Sequence, residues 1–168
     1  MSRSIPNHQI LDEQLTVLRS VSWSAYNELA AGTDRAGRLL TFDRGVLEIM
    51  SPSRAHELYK TMLGRMVEMV CLHHEIDLAS AASTTFKRDD LQCGFEADES
   101  YYISHEAQVR NKTAIDLSID PPPDLVIEVK QSRPAIDKLE LLAAMGVPEV
   151  WRYKRSAPPA KLCSCAVL

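Results

Sequence analysis

The segment Pro121-Pro122-Pro123-Asp124-Leu125-Val126-Ile127-Glu128-Val129-Lys130 constrains this chain more than any other. Three consecutive prolines lack backbone donors and fix their own φ, so the chain must enter the next element in an extended conformation. Leu125–Lys130 then reads as a short strand, rich in β-branched side chains and bounded by turn formers. Side chains alternate along a strand, which places Asp124, Val126, Glu128 and Lys130 on one face. Leu125, Ile127 and Val129 occupy the other and read as core. A carboxylate and an ammonium two positions apart on one face sit about 6.5–7 Å apart at Cα. That separation suits two groups converging on one metal-bound water or one phosphate.

Punctuation elsewhere divides the chain into alternating elements. Ser22 is a candidate cap for a helix from Trp23 to Ala30. Arg38–Phe42 and Val46–Met50 read as a hairpin around Asp43-Arg44-Gly45. Ser51-Pro52-Ser53 opens the longest helix, to about His74, with Glu57 in its first turn. Leu58, Met62, Leu63, Met66, Val67 and Val70 recur at helical spacing there and predict a face packed on a sheet. Strand material comes next at Ile76–Ala79 and Ser83–Lys87, then one strand over Gly94–Ile103 with Glu96, Asp98, Ser100 and Tyr102 on one face. After the proline-led strand, a helix restarts at Ser132-Arg133-Pro134, ends at Gly146, and gives way to a last strand over Val147–Tyr153. The order predicts an α/β fold with a mixed sheet. Residues 1–20 read as an N-terminal arm, 21–153 as the folded domain, and 154–168 as a divergent, disordered tail.

With 45% hydrophobic and 25% charged residues, the 168-residue chain can build one real core. No apolar run reaches the roughly 20 residues of a membrane span, and no signal-peptide core adjoins the N-terminus, so a cytoplasmic location is expected. Cys71 falls in an apolar helical pattern and reads as a buried thiol; Cys163-Ser164-Cys165 alone is weak evidence for a metal. The net charge of −4 argues against a dedicated nucleic-acid binder, yet an acidic metal site lowers the net charge by itself.

Hydrolysing a phosphodiester near neutral pH requires an activated water and neutralised phosphate charge. Magnesium or manganese supplies both and prefers carboxylate oxygens. Asp98 and Glu128 form the obvious pair, and Lys130 can hold the attacking water. Asp124 shares the face of Glu128, either as a third ligand or as a turn residue bonding to backbone. Glu57 is an accessory carboxylate if its helix starts at the same strand mouth, and otherwise a helix-dipole residue.

Several blocks resemble the Uma-type family of bacterial candidate restriction endonucleases, within the PD-(D/E)XK nuclease superfamily. They are Leu47–Ser53 with His56-Glu57, Ser83–Phe86, Phe95–Ile103, Pro122–Val129 and Gly146–Tyr153, in the family's order. The resemblance implies a restriction endonuclease-like core, a central mixed sheet flanked by helices. It maps the first acidic motif to Asp98, where Ala97 replaces a frequent proline, and the second to Glu128. Glu57 matches the family's helix carboxylate. The branch often lacks a lysine two residues after the glutamate; Lys130 fills that place here, and Lys138 on the next helix matches a common lysine. Lys130 is favoured, with Lys138 as the substitute. The implied activity is Mg2+-dependent DNA cleavage by a homodimer, since paired cuts need two sites. The alternative is a silent nuclease-fold protein that binds nucleic acid or regulates. Members usually continue past the Trp-Arg-Tyr strand, so the short tail reads as a truncation or frameshift that bares a sheet edge.

Overall fold

A computed structural model describes residues 13–32, 37–130 and 134–154, together with the backbone of 161–166. The chain adopts the expected mixed α/β, restriction endonuclease-like architecture, built on two five-stranded sheets rather than one. The first sheet contains β1 (Gln14–Arg19), β2 (Leu39–Asp43), β3 (Val46–Ser51), β5 (Thr85–Arg88) and β6 (Cys93–Glu96). Its order is β1-β3-β2-β6-β5 and every pairing is antiparallel. The second contains β4 (Ala79–Ser80), β7 (Glu99–Tyr102), β8 (Leu125–Lys130), β9 (Glu149–Lys154) and β10 (Lys161–Ala166), in the order β10-β9-β8-β7-β4. Only β8 and β9 run parallel, and α4 (Lys138–Ala144) lies on the crossover between them.

Local chemistry accounts for most boundaries. The side chain of Ser22 caps α1 (Trp23–Ala31), and that of Ser53 caps α2 (Arg54–His73) by accepting the His56 N–H. Pro52 therefore precedes the cap instead of entering the first turn. The β2–β3 hairpin turns through Arg44 and Gly45, both at positive φ, the pairing that matches the strand twist. A short helix, α3 (Glu106–Val109), lies in the long connection between β7 and β8.

The proline-led strand is buried on both faces. Leu125, Ile127 and Val129 pack with Leu63, Val67 and Cys71 of α2, whereas Val126 joins Leu142, Val150 and Phe95 on the other side. The first sheet, β8's second face and α4 thus share one core. Ser53, His56, Leu63, Gly64, Val67 and Cys71 are buried on or just before α2, while Leu58, Met62, Met66, Met69 and Val70 are 47% to 70% exposed. This corrects the expected core stripe. Apolar residues occupy most of the helix circumference, so spacing could not select the buried side, and the side with Gly64 is the one that fits against Tyr101.

Four further expectations change. Residues 14–19, expected within an N-terminal arm, form β1 on the edge of the first sheet, because β3 offers an open edge to pair with. The single strand expected over Gly94–Ile103 is divided between the sheets, the chain passing from β6 to β7 through Ala97 and Asp98. The last helix begins at Lys138, capped by the Asp137 side chain, whereas Ser132 and Arg133 lie outside the described residues. Residues 161–166, read as part of a disordered tail, pair antiparallel with β9, where backbone hydrogen bonding needs no apolar pattern. Residues 155–160, 167–168 and 1–12 lie outside the described residues, as do the side chains of Cys163 and Cys165. Among the described residues, no helix is long and apolar enough to cross a membrane.

Candidate active site

Three elements and one crossing point bring charged groups together. One residue past the Glu99–Ile127 pair of β7 and β8, Asp98 stands opposite Glu128. Asp98 is fully buried, and its Oδ2 accepts the Val129 N–H at 2.6 Å. Its Oδ1 lies 2.8 Å from Nε2 of His56, in the first turn of α2. The other nitrogen of His56, Nδ1, lies 2.8 Å from Oε2 of Glu13, just before β1. On the opposite side, Lys138 at the start of α4 reaches back to Glu128, with Nζ at 3.0 Å from Oε1 and 2.8 Å from Oε2. A continuous polar path therefore runs from Glu13 through His56 and Asp98 to the β8 backbone, and on to Glu128 and Lys138.

Burial makes these charges depend on each other. Burial alone would lower the His56 pKa; its hydrogen bonds to Asp98 and Glu13, with the charge of both carboxylates, outweigh it and raise the pKa to about 9. The imidazolium then donates to both carboxylates. Burial raises the Glu128 pKa, and the nearby Asp98 charge adds to that, although Lys138 opposes both. Burial disfavours the Lys138 ammonium, but attraction to Glu128 and Asp98 prevails and its pKa rises. Lys138 is therefore charged at neutral pH.

The cluster opens on a cleft whose charged lining is Glu13, Glu48, Glu128, Lys130, Lys138 and Arg152. Leu15, Leu39 and Met50 form an apolar wall. Buried Glu48 accepts N–H groups from Ala135 and Ile136 through Oε1, which ties the approach to α4 against the first sheet. Lys130 is partly buried, and both that burial and the Arg152 charge lower its pKa. It does not contact Glu128 within ion-pair distance, and Lys138 does.

Of the residues expected from sequence, Asp98, Glu128 and Lys138 come together, and Lys130 lines the same cleft. Asp124 does not join them. Four residues before Glu128, it is about 13 Å away along the strand. Its Oδ2 accepts the N–H groups of Ile103 and His105 at 2.7 and 3.0 Å, and its Oδ1 meets the His105 imidazole at 2.6 Å. It is the turn residue of the two readings. Glu57 is also elsewhere, 46% exposed and 3.6 Å from Lys60 in a separate cleft with Ser83 and Glu96. The helix carboxylate expected at the site is one residue off, and His56 occupies that direction. Sequence reasoning missed His56, Glu13, Glu48 and Arg152. His56 carried one available signal: a histidine three residues after a capping serine must point along the helix's inner or outer flank, and its neighbours Leu63 and Val67 mark the inner one.

Among the described residues, no group of three or more His, Cys, Asp or Glu side chains is arranged to hold a metal ion. Two carboxylates remain as donors, Asp98 and Glu128. That set fits magnesium or manganese, which use one or two carboxylates and complete their shell with waters and substrate oxygens. Each carboxylate already accepts two hydrogen bonds, and a carboxylate offers about four lone-pair sites, so acceptor capacity remains.

The sequence matches the Uma2 family, described as "Putative restriction endonuclease", over residues 23–163. No curated protein matches the chain. The match covers most of the chain, which belongs to that family.

Proposed function

We propose that this chain, a member of the Uma2 family, is a Mg2+- or Mn2+-dependent endonuclease that hydrolyses DNA phosphodiester bonds. The observation that carries this reading is the convergence of Asp98, Glu128 and Lys138 from a sheet crossover, a central strand and a helix start. A bound cation would supply an activated water and offset phosphate charge. Asp98 and Glu128 provide the anionic oxygens that attract it. The Val129 N–H and the His56 imidazolium fix both oxygens of Asp98, so that carboxylate is oriented before any ligand arrives. Lys138, charged and held at Glu128, is placed to donate to an attacking water or to a phosphate oxygen that gains negative charge. This geometry favours Lys138 over Lys130 as the lysine of the site.

A homodimer is part of the proposal. The exposed Leu58, Met62, Met66 and Met69 form one apolar stripe along α2, and a second copy packed antiparallel would pair Leu58 with Met69 and Met62 with Met66.

The test is nicking of supercoiled plasmid with Mg2+, Mn2+ or EDTA. Wild type is expected to nick only with metal. Glu128→Ala and Lys138→Met should each lower the rate at least about a hundredfold. Nicking that survives Glu128→Ala would refute the site. One observation favours the silent nuclease-fold alternative: every oxygen of Asp98 and Glu128 already has a partner within the chain. Absence of nicking by folded wild type would establish that reading instead.

A further inference from the structure

Lys130 and Arg152 line the cleft but stand outside its hydrogen-bonded cluster. Residues registered across a parallel pair project from the same face. Arg152 is registered with Glu128, and Lys130 lies two positions beyond Glu128 on β8, so all three side chains share one face. The carboxylates of the cleft are occupied: Glu13 by His56, Glu128 by Lys138, and Glu48 by the N–H groups of Ala135 and Ile136. Among the described residues, neither Lys130 nor Arg152 has a hydrogen bond or an ion pair with a side chain. In a chain of net charge −4, two adjacent cations thus line the cleft without a side chain in direct contact, and the carboxylates of Asp137, Glu128 and Glu48 act on Lys130 only from beyond ion-pair distance. Like charges held side by side repel, and an anion seated between them removes that repulsion.

We propose that Lys130 and Arg152 form an anion subsite that seats a phosphate group of the DNA strand beside the scissile one. The inference rests on the nuclease reading for the identity of the strand, and on the cleft alone for the anion. The planar guanidinium of Arg152 suits two non-bridging oxygens of one phosphate, and the Lys130 ammonium acts as a point charge on the same group. Lys138 engages Glu128 and Lys130 does not, so the two lysines divide the work: one serves the reacting centre, the other holds the strand in register.

The experiment is fluorescence anisotropy of a short fluorescein-labelled DNA strand titrated with protein in EDTA, which prevents cleavage. Lys130→Met and Arg152→Met are each expected to weaken binding about tenfold and to reduce the salt slope by about 0.7 per lost cation. Lys130→Arg should bind within about twofold of wild type, and the melting temperatures of all three should match it. Unchanged affinity and slope in both Met variants would overturn the subsite, as would absence of binding by wild type. A wild-type measurement needs no variant: the Lys130 Nζ and Arg152 Nε NMR signals should shift as inorganic phosphate is added, and static signals count against the proposal. Plasmid nicking, read in parallel, separates the two proposals. If wild type nicks and the Met variants bind and nick equally well, the subsite falls and the nuclease stands. If strand binding requires both residues but wild type does not nick, the subsite stands and the nuclease falls.

Discussion

His56 has no exposed surface and lies between two carboxylates, a place where burial alone would keep an imidazole neutral. Its pKa of about 9 in the folded chain exceeds the ordinary value of 6.5, so the folded state binds the proton more tightly than the unfolded one. The stabilisation is complete below about pH 6.5 and is lost as pH rises through about 9. A shift of that size corresponds to about 3 kcal/mol. Urea denaturation across this range should therefore show stability falling with pH in wild type, and a flatter profile in His56→Gln. Identical slopes would mean that His56 is neutral when folded. Asp124 shows the converse case. Burial works against its charge, but the His105 and Ile103 N–H groups and the His105 side chain lower its pKa overall. Both residues are polar and near strand or helix starts, and their sequence context alone does not distinguish a site residue from a turn residue.

At the scale of elements, α2 was legible in extent but not in orientation. Ser53 and the apolar spacing locate it within a residue or two, while an apolar face on both sides leaves its rotation undetermined. Gly64 resolves it: a Cβ there would lie 2.7 Å from the Tyr101 hydroxyl and 3.6 Å from Cγ of Glu99. Alanine raises intrinsic helix stability by up to about 1 kcal/mol over glycine. Overpacking against the fully buried Tyr101 costs about 1–3 kcal/mol, so Gly64→Ala is expected to lower the urea midpoint. A higher midpoint would show that Tyr101 yields freely. The division of Gly94–Ile103 into β6 and β7 was equally hidden, since an unbroken alternation continues through the change of sheet. That crossing places Asp98 opposite Glu128 rather than in line with Glu96, whose carboxylate accepts the Leu40 N–H at 2.9 Å instead.

For the whole molecule, two sheets share a core, and among the described residues the outer stripe of α2 stands as an exposed apolar surface. Analytical ultracentrifugation should find a dimer that Met62→Lys and Met66→Lys each dissociate, with the melting of the resulting monomer cooperative. A wild type that remains monomeric at every concentration tested would remove the dimer. The sequence by itself determined the strand after the three prolines, the capped helices, the hairpin at Arg44-Gly45 and the family, because each is written in nearest-neighbour chemistry or in blocks of contiguous residues. Tertiary structure alone decided which carboxylates meet. Asp98 and Glu128 are thirty positions apart, Glu13 and His56 forty-three, and Lys138 reaches Glu128 only because α4 folds back over β8. Partners so distant in the chain are selected by sheet register and helix rotation, which pack the apolar residues first and place the charged ones as a consequence.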